Sequence, residues 1–320
     1  FAALPLGRIW RSWFGVPYVI DLQDPWLNDY YDQPGAPRPP GGWKYRIARL
    51  NARLLEGWTL KRCAHVISVS QGYLDSLARR YPWFTPEHGS VLAFGAPTAD
   101  WDLVRLKSAG CPPLLPASAR LRIAYAGRLG MDMKRSLEVL FAGIAEARGD
   151  GLPVEAHFYG TSYAAAGDGE STTKVLAAKA GVSDLVSESP TRISYLNSLR
   201  MLTETDIALV LGSEDAAYSP SKLYPTLLAG KPTLAIAPAA SVLERLLGEL
   251  GGAALVSYTT EPDAQQVAGG KVADWLRRFA AGERTPQSPT QADSLRRDRS
   301  ARAVAERQVE VFQIAIAASK

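Results

Sequence analysis

The chain has 320 residues, 47% of them hydrophobic, with 36 basic residues against 32 acidic ones for a net charge of +4. That is enough apolar chain for two ordinary domain cores, and so mild a positive charge does not argue for a nucleic-acid partner. Two cysteines, Cys63 and Cys111, exclude a disulfide framework and fit a reducing, cytoplasmic compartment, and no apolar run approaches the roughly 18 residues that span a bilayer.

Residues 1–15, FAALPLGRIWRSWFG, are apolar and basic. They are too short and too interrupted to cross a membrane, and they lack a small-residue cleavage site. They suit peripheral contact with a bilayer surface. The stretch has no initiator Met, so the numbering is expected to start inside a longer protein.

Apolar runs then recur at 17–23, 64–70, 90–96, 121–127, 154–160, 184–189, 207–213, 232–238 and 253–259. Most have little period-two alternation, which suits strands buried on both faces. Helical patterns such as MKRSLEVLFAGIAEAR and ISYLNSLRMLTET lie between them, so an α/β fold with mostly parallel sheets is expected. The Pro- and Gly-bearing stretch at 107–122 reads as a linker. It places an N-terminal domain at 1–112, a doubly wound domain at 113–290 and a terminal helix at 291–320. Only three strands fall in the first domain, so it reads as N-terminally incomplete. In the terminal segment, residues 282–294 read as a flexible loop, and an Arg-rich run continues into an apolar one as a single helix.

Several stretches carry candidate chemistry. In VIDLQDPWLNDYY, Asp24 before Pro25 reads as an N-cap with proline at the first helical position. The same stretch stacks carboxylates with Trp26, Tyr30 and Tyr31 at a strand's carboxyl end, so Asp24 could also orient or deprotonate an acceptor hydroxyl. In IAYAGRLGMDMKRSLEVL, Gly127 and Gly130 flank Arg128 in the turn after a strand, and Lys134 follows. This is neither GxGxxG nor a P-loop. Arg128 has two readings, an anion ligand or a surface partner of Asp132 or Glu138.

The loop 158–172 opens at Gly160 and is either a sugar or nucleotide contact or a connector. Arg192 enters a helix where a base could be held, and Glu214 either accepts from sugar hydroxyls or lies in a solvated loop. In AYSPSKLYPTLLAGKP, Ser219 suits an N-cap with Pro220 at the first helical position, and Gly230 can end the helix in the left-handed conformation. Lys222 conflicts with the positive end of the helix dipole unless an anion is bound there, or unless it points into water. With Ser221, it and the Gly-Arg turn form two basic turns at strand carboxyl ends, where a doubly wound sheet opens one crevice. That pairing suggests a diphosphate ligand. His65 and His157 lie inside strand patterns and read as core residues, and no histidine pair has metal-ligand spacing.

Three segments taken in order resemble a known family. AGRLG…K resembles a donor-diphosphate element, PSKLYPTLLAGKP resembles a helix ending in A-x-G-K-P, and GVPYVIDLQDPW resembles G-x-P-x-x-x-D-x-R-D-P-W with Gln23 in place of arginine. Together they are similar to the retaining glycosyltransferases of the GT-B fold, the group of glycogen synthases and bacterial mannosyl- and glucosyltransferases (glycosyltransferase family 4-like). The resemblance implies two Rossmann-like doubly wound domains and transfer of a sugar from a nucleotide-diphosphate donor to a carbohydrate or lipid-linked acceptor, without metal or other cofactor. It assigns Arg128, Lys134, Ser221 and Lys222 to the donor diphosphate, and Gly127, Gly160, Arg192, Glu214 and Ser219 to the nucleotide or sugar. Asp24 falls on the acceptor side. Two glutamates that the retaining group often carries are replaced here by Ala217 and Pro225. A catalytically degenerate, nucleotide-binding or scaffolding protein of the same fold is the alternative.

Overall fold

All strand pairs are parallel, as expected of apolar runs without alternation. The computed structural model describes residues 1, 3–28, 42–108, 110–162, 172–215, 217–261, 263–283 and 289–317. In chain order the first elements are α1 (Leu4–Phe14), β1 (Val19–Leu22), α2 (Gly42–Leu60), β2 (His65–Ser68), α3 (Gln71–Arg80), β3 (Gly89–Val91) and α4 (Thr98–Lys107). There follow β4 (Leu121–Ala126), α5 (Lys134–Gly149), β5 (Val154–Tyr159), α6 (Thr172–Lys179), β6 (Val186–Ser189), α7 (Tyr195–Glu204), β7 (Ile207–Leu211) and α8 (Leu223–Leu228). The last are β8 (Thr233–Pro238), α9 (Val242–Leu250), β9 (Ala254–Tyr258), α10 (Ala264–Ala280), α11 (Pro289–Asp298) and α12 (Ala301–Ala317). Each of the nine apolar runs overlaps one strand, β3 beginning one residue before its run.

The chain divides into two units, Phe1–Gly95 with Ala301–Lys320, and Ala96–Ser300. The sequence reading drew its border at 112 and its terminal segment from 291.

Unit 1 holds the sheet β1-β2-β3. Ile20, Leu22, Val66, Leu74 and Phe84 pack around it. Glu56 of α2 is buried, and its charge is met by Arg80 at 2.5 Å, the Tyr81 hydroxyl at 2.9 Å and the Leu27 amide at 3.1 Å. The helix expected at Pro25 does not form. Residues 23–28 are bends and irregular chain, so no helix starts at Pro25. Tyr30 and Tyr31 lie outside the described residues.

Unit 2 holds six strands in the order β6-β5-β4-β7-β8-β9. The strand sequence reverses direction between β4 and β7, the switch point of a doubly wound sheet. Alternate strand residues serve two cores. Ile123, Tyr125, Leu209, Leu211 and Ile236 pack against α5, α6 and α10, while Ala124, Ala208, Val210 and Ala235 are buried on the other face. Small side chains on that second face let α7 and α8 approach. His157 is buried in β5 and bonds Ser187 and Glu155, as a core residue should, whereas His65 is only half-buried and bonds the Ser90 hydroxyl at 2.8 Å.

The terminal segment differs from expectation. It is two helices, α11 and α12, and α11 begins at Pro289 inside the stretch read as loop. The break comes because Arg299 and Ser300 are engaged elsewhere: the Ala96 amide donates to the Arg299 carbonyl at 2.6 Å, and Ser300 bridges to Ala96.

Helices α5 and α10 cross closely at two glycines. A Cβ added at Gly143 would meet Val272 Cγ1 at 2.5 Å and the Gly269 carbonyl at 2.9 Å. A side chain there overpacks the helix layer under the sheet. Gly143→Leu is expected to destabilise the chain by about 1–3 kcal/mol, read as a lower denaturant midpoint at unchanged slope.

Candidate functional site

A cleft of about 350 Å³ opens at the carboxyl ends of the strands of unit 2. It is lined by Gly127 and Arg128 after β4, Tyr159 and Gly160 after β5, Arg192 and Tyr195 where α7 begins, and Lys222 in the turn before α8. Its place at the β4/β7 reversal is where open α/β sheets bind ligands.

The turns that build the cleft are latched to one another. The Gly127 amide donates to the Tyr159 carbonyl at 2.8 Å, and the Gly160 amide to the Ser189 carbonyl at 2.8 Å. These bonds carry the β4-β5-β6 ladder one step past the strands. Across the switch point, Asp132 joins the two sides. It takes a bidentate pair from Arg128, at 2.7 and 2.8 Å, and the Ser213 hydroxyl at 2.9 Å, while its carbonyl accepts from the Glu214 amide at 2.7 Å. Burial alone would raise the Asp132 pKa. The Arg128 hydrogen bonds and charge, with the Ser213 hydroxyl, outweigh it and hold the carboxyl below its ordinary value.

Lys222 is the unusual group. Its aliphatic stem lies over bare backbone at Gly127, where an added Cβ would fall on Lys222 Cε and Nζ, and φ is +152°. Only glycine suits both conditions. The ammonium sits 5.8 Å from the centroid of the Tyr125 ring. Among the described residues no carboxylate lies within ion-pair distance of it. Burial, then the positive charges of Arg128 and Arg192, depress its pKa from 10.5 to about 8. A cation held among cations in a partly dry cleft is suited to an anionic ligand.

Solved structures share this fold. Sucrose-phosphate synthase from Thermosynechococcus elongatus superposes with a TM-score of 0.64 at 18% identity, over 99% of this chain and 72% of that one. The Anabaena protein HepE, solved with UDP and glucose, gives 0.62 at 16% identity over 98% and 75%. A UDP-forming trehalose-phosphate synthase from Burkholderia xenovorans gives 0.66 at 11% identity over 98% and 72%. The fold is GT-B. No protein-family model matches the chain, and no curated protein sequence is similar to it.

Five of the residues singled out in the sequence line one GT-B cleft: Gly127, Arg128, Gly160, Arg192 and Lys222. The others do not line it. Lys134 starts α5 and faces Glu138 at 3.8 Å. Glu214 pairs with Arg135 at 3.4 Å, and burial raises its pKa. Ser221 is exposed. Ser219 does not cap α8. That helix starts at Leu223, because the Leu223 amide closes a turn onto the Pro220 carbonyl at 3.1 Å, and the N-cap position falls to Lys222. The Ser219 hydroxyl is buried without a hydrogen-bond partner among the described residues. Gly230 does end α8 with φ +67°. Asp24 belongs to unit 1, exposed beyond the end of β1. Most of the loop 158–172 lies outside the described residues.

Sequence reasoning missed the aromatic lining. Tyr195 follows the N-cap Ser194, and its hydroxyl donates to Asp100 Oδ2 of α4 at 3.0 Å. Burial and that carboxylate raise its pKa. The Ser-x-x-Asn cap marks this helix start in the sequence, but nothing marks Asp100 as its partner.

Among the described residues no group of three His, Cys, Asp or Glu side chains could hold a metal ion. No helix among them is long and apolar enough to cross a membrane.

Lys222 also fixes a pH dependence. Between about 8 and 10.5 the unfolded chain keeps the Lys222 proton while the folded chain has released it, so this group's contribution to stability rises with pH across that window. Below it, the folded state carries the ammonium at full cost. Lys222→Met is therefore expected to stabilise the ligand-free chain at pH 7, by about 1–3 kcal/mol, and the advantage should shrink as pH rises through 8 towards 10.5. Urea midpoints of the two proteins across that range test this. A gap that stays constant would show that the charge is not the cause.

Proposed function

We propose that the chain is a cytoplasmic, metal-independent glycosyltransferase. It transfers a hexose from a nucleoside-diphosphate donor to a hydroxyl of a carbohydrate or lipid-linked acceptor, in polysaccharide or glycoconjugate synthesis. The observation that carries this reading is the convergence of Arg128, Arg192 and Lys222 with the backbone of Gly127 and Gly160 on one cleft at the switch point. Neighbours of the same fold support the ligand class, since Anabaena HepE was solved with UDP-glucose as well as with UDP.

The chemistry asks for charge at one place. When the bond from the anomeric carbon to the donor phosphate breaks, the diphosphate gains a negative charge. Fixed cations aimed at that charge stabilise the transition state, and three of them supply what a metal would otherwise provide. Lys222 would regain an ordinary ammonium as the phosphates enter, because the ligand's charge offsets the two arginines. The new bond joins the anomeric carbon to the acceptor oxygen. The acceptor proton goes to the departing phosphate if configuration is retained. Asp24 would orient the acceptor or take that proton. Two free thiols, Cys63 and Cys111, agree with a reducing cytoplasm.

The test is thermal unfolding with a panel of nucleoside diphosphates. At least one should raise the midpoint of the wild type by mass action. Arg192→Ala and Lys222→Ala should each weaken that ligand about tenfold or more, the value of one charge-assisted contact. No shift with any nucleoside diphosphate, in a chain shown to be folded, would overturn the reading.

A further inference from the structure

We propose that α4 and residues 112–116 form a buttress beside the cleft, in which Asp100 and Glu204 are positioning residues for Tyr195 and Tyr159, and that cleft occupancy and the order of this buttress are coupled. The proposal deepens the donor-site reading and rests on it only for the ligand used as a probe.

Residues 111–116 read CPPLLP. Pro112, Pro113 and Pro116 have no backbone donor, so the stretch can offer little to a sheet or a helix, and it joins neither. The two donors left between the prolines, the Leu114 and Leu115 amides, both go to one carboxylate oxygen, Glu204 Oε2, at 2.6 and 3.0 Å. Two of its carbonyls are taken up as well. Pro112 accepts from Arg200 at 2.9 Å, and Leu114 accepts from the Tyr159 hydroxyl at 3.3 Å. Arg200 and Glu204 stand one turn apart on α7 and pair at 3.3 Å. A segment with no ladder of its own is thus ordered by two side chains of α7 and one of β5.

Helix α4 is fastened to the other end of α7. Trp101 and Val104 bury its inner face, and Asp100 accepts from the Tyr195 hydroxyl at 3.0 Å. So α7 holds α4 at its first residue and the Pro-rich segment at its last turn. Helix α4 is also the first element of unit 2 after the chain leaves unit 1 at Gly95.

The two tyrosines join the buttress to the cleft. Both line it, Tyr159 at the exit of β5 and Tyr195 where α7 begins, and both hydroxyls donate into the buttress. Burial and a nearby carboxylate, Glu204 for Tyr159 and Asp100 for Tyr195, raise the pKa of each, so both remain protonated donors. A ligand that fixes either ring fixes the donor of a buttress bond. An ordered buttress in turn presents the rings already placed, so less freedom is lost on binding. The coupling is reciprocal, as any linkage of two equilibria must be.

The experiment is hydrogen exchange of the full chain, read by mass spectrometry, with and without the nucleoside diphosphate that most raises its unfolding midpoint. Three variants are compared with wild type: Asp100→Ala, Asp100→Asn, and Tyr159→Phe combined with Tyr195→Phe. The phenylalanines keep the cleft rings and remove only the donors. Ligand should slow wild-type exchange about fivefold in α4 and at Leu114 and Leu115, the value of one hydrogen bond. The double variant should still bind, with that slowing lost. Asp100→Ala should lose it in α4 alone, and Asp100→Asn, whose carboxamide oxygen still accepts from Tyr195, should keep it. Bonds with a merely structural role would speed exchange in both states and leave the slowing intact, which would overturn the proposal. So would bound ligand that leaves both segments of the wild type at their free rates. Without ligand, the double variant should exchange about fivefold faster than wild type in both segments. Equal rates there would overturn the buttress even if no diphosphate binds, whereas failure of every diphosphate to bind would sink only the donor reading.

Discussion

Everything in the cleft depends on the contact between the Lys222 side chain and the bare backbone of Gly127. The contact joins the exits of β4 and β7, the two strands at which the sheet reverses. It holds an ammonium in a place where burial and two guanidinium groups oppose its charge. A folded chain keeps such an arrangement only when surrounding structure over-determines it. Here the over-determination is visible. The β4, β5 and β6 exits are latched by backbone bonds, and Asp132 spans the switch point by holding Arg128 on one side and Ser213 on the other. Asp132 neutralises one arginine of the cleft. Among the described residues no carboxylate lies within ion-pair reach of Lys222, and burial with the charges of Arg128 and Arg192 lowers its pKa.

The same sheet explains why so much of the fold was legible in sequence. Parallel strands covered on both faces must be short continuous apolar runs, and the nine runs correspond to the nine strands among the described residues. The turns that open the cleft were legible for a related reason. A glycine and a basic residue directly after a buried strand have few structural uses, so Gly127 with Arg128 stood out. Lys222 stood out by its conflict with the positive end of a helix. That argument picked out a residue that lines the cleft, although the helix begins later than expected, with Lys222 at the N-cap and outside the first turn.

What was not legible depended on partners remote in sequence. Ser219 and Pro220 have the composition of a helix start, yet a backbone turn onto Pro220 delays the helix and leaves the Ser219 hydroxyl buried. Asp24 and Pro25 have the same composition, and no helix follows directly. The break between α11 and α12 carries no glycine or proline, since it is imposed by the bridge to Ala96, some two hundred positions earlier in the chain. Tyr195 reaches Asp100 across 95 positions. Local rules weigh a residue against its neighbours, so they fail where a distant segment competes for the same backbone or side chain.

Helix α2 was hidden for the opposite reason. Trp43, Ile47, Leu50, Leu54 and Trp58 give it a strong apolar period, so sequence rules assign that stripe to a core. Periodicity shows that one face differs from the others but not which face turns inward. The polar residue Glu56 settles the matter here, because a buried carboxylate needs partners, and Arg80, Tyr81 and the Leu27 amide supply them. With that face committed to the sheet, the leucines and tryptophans are left outside. The two units thus use cations in contrasting ways. In unit 1 they are solvated, cost little, and flank apolar surface. In unit 2 one of them, Lys222, is desolvated beside Arg128 and Arg192, which lowers its pKa to about 8.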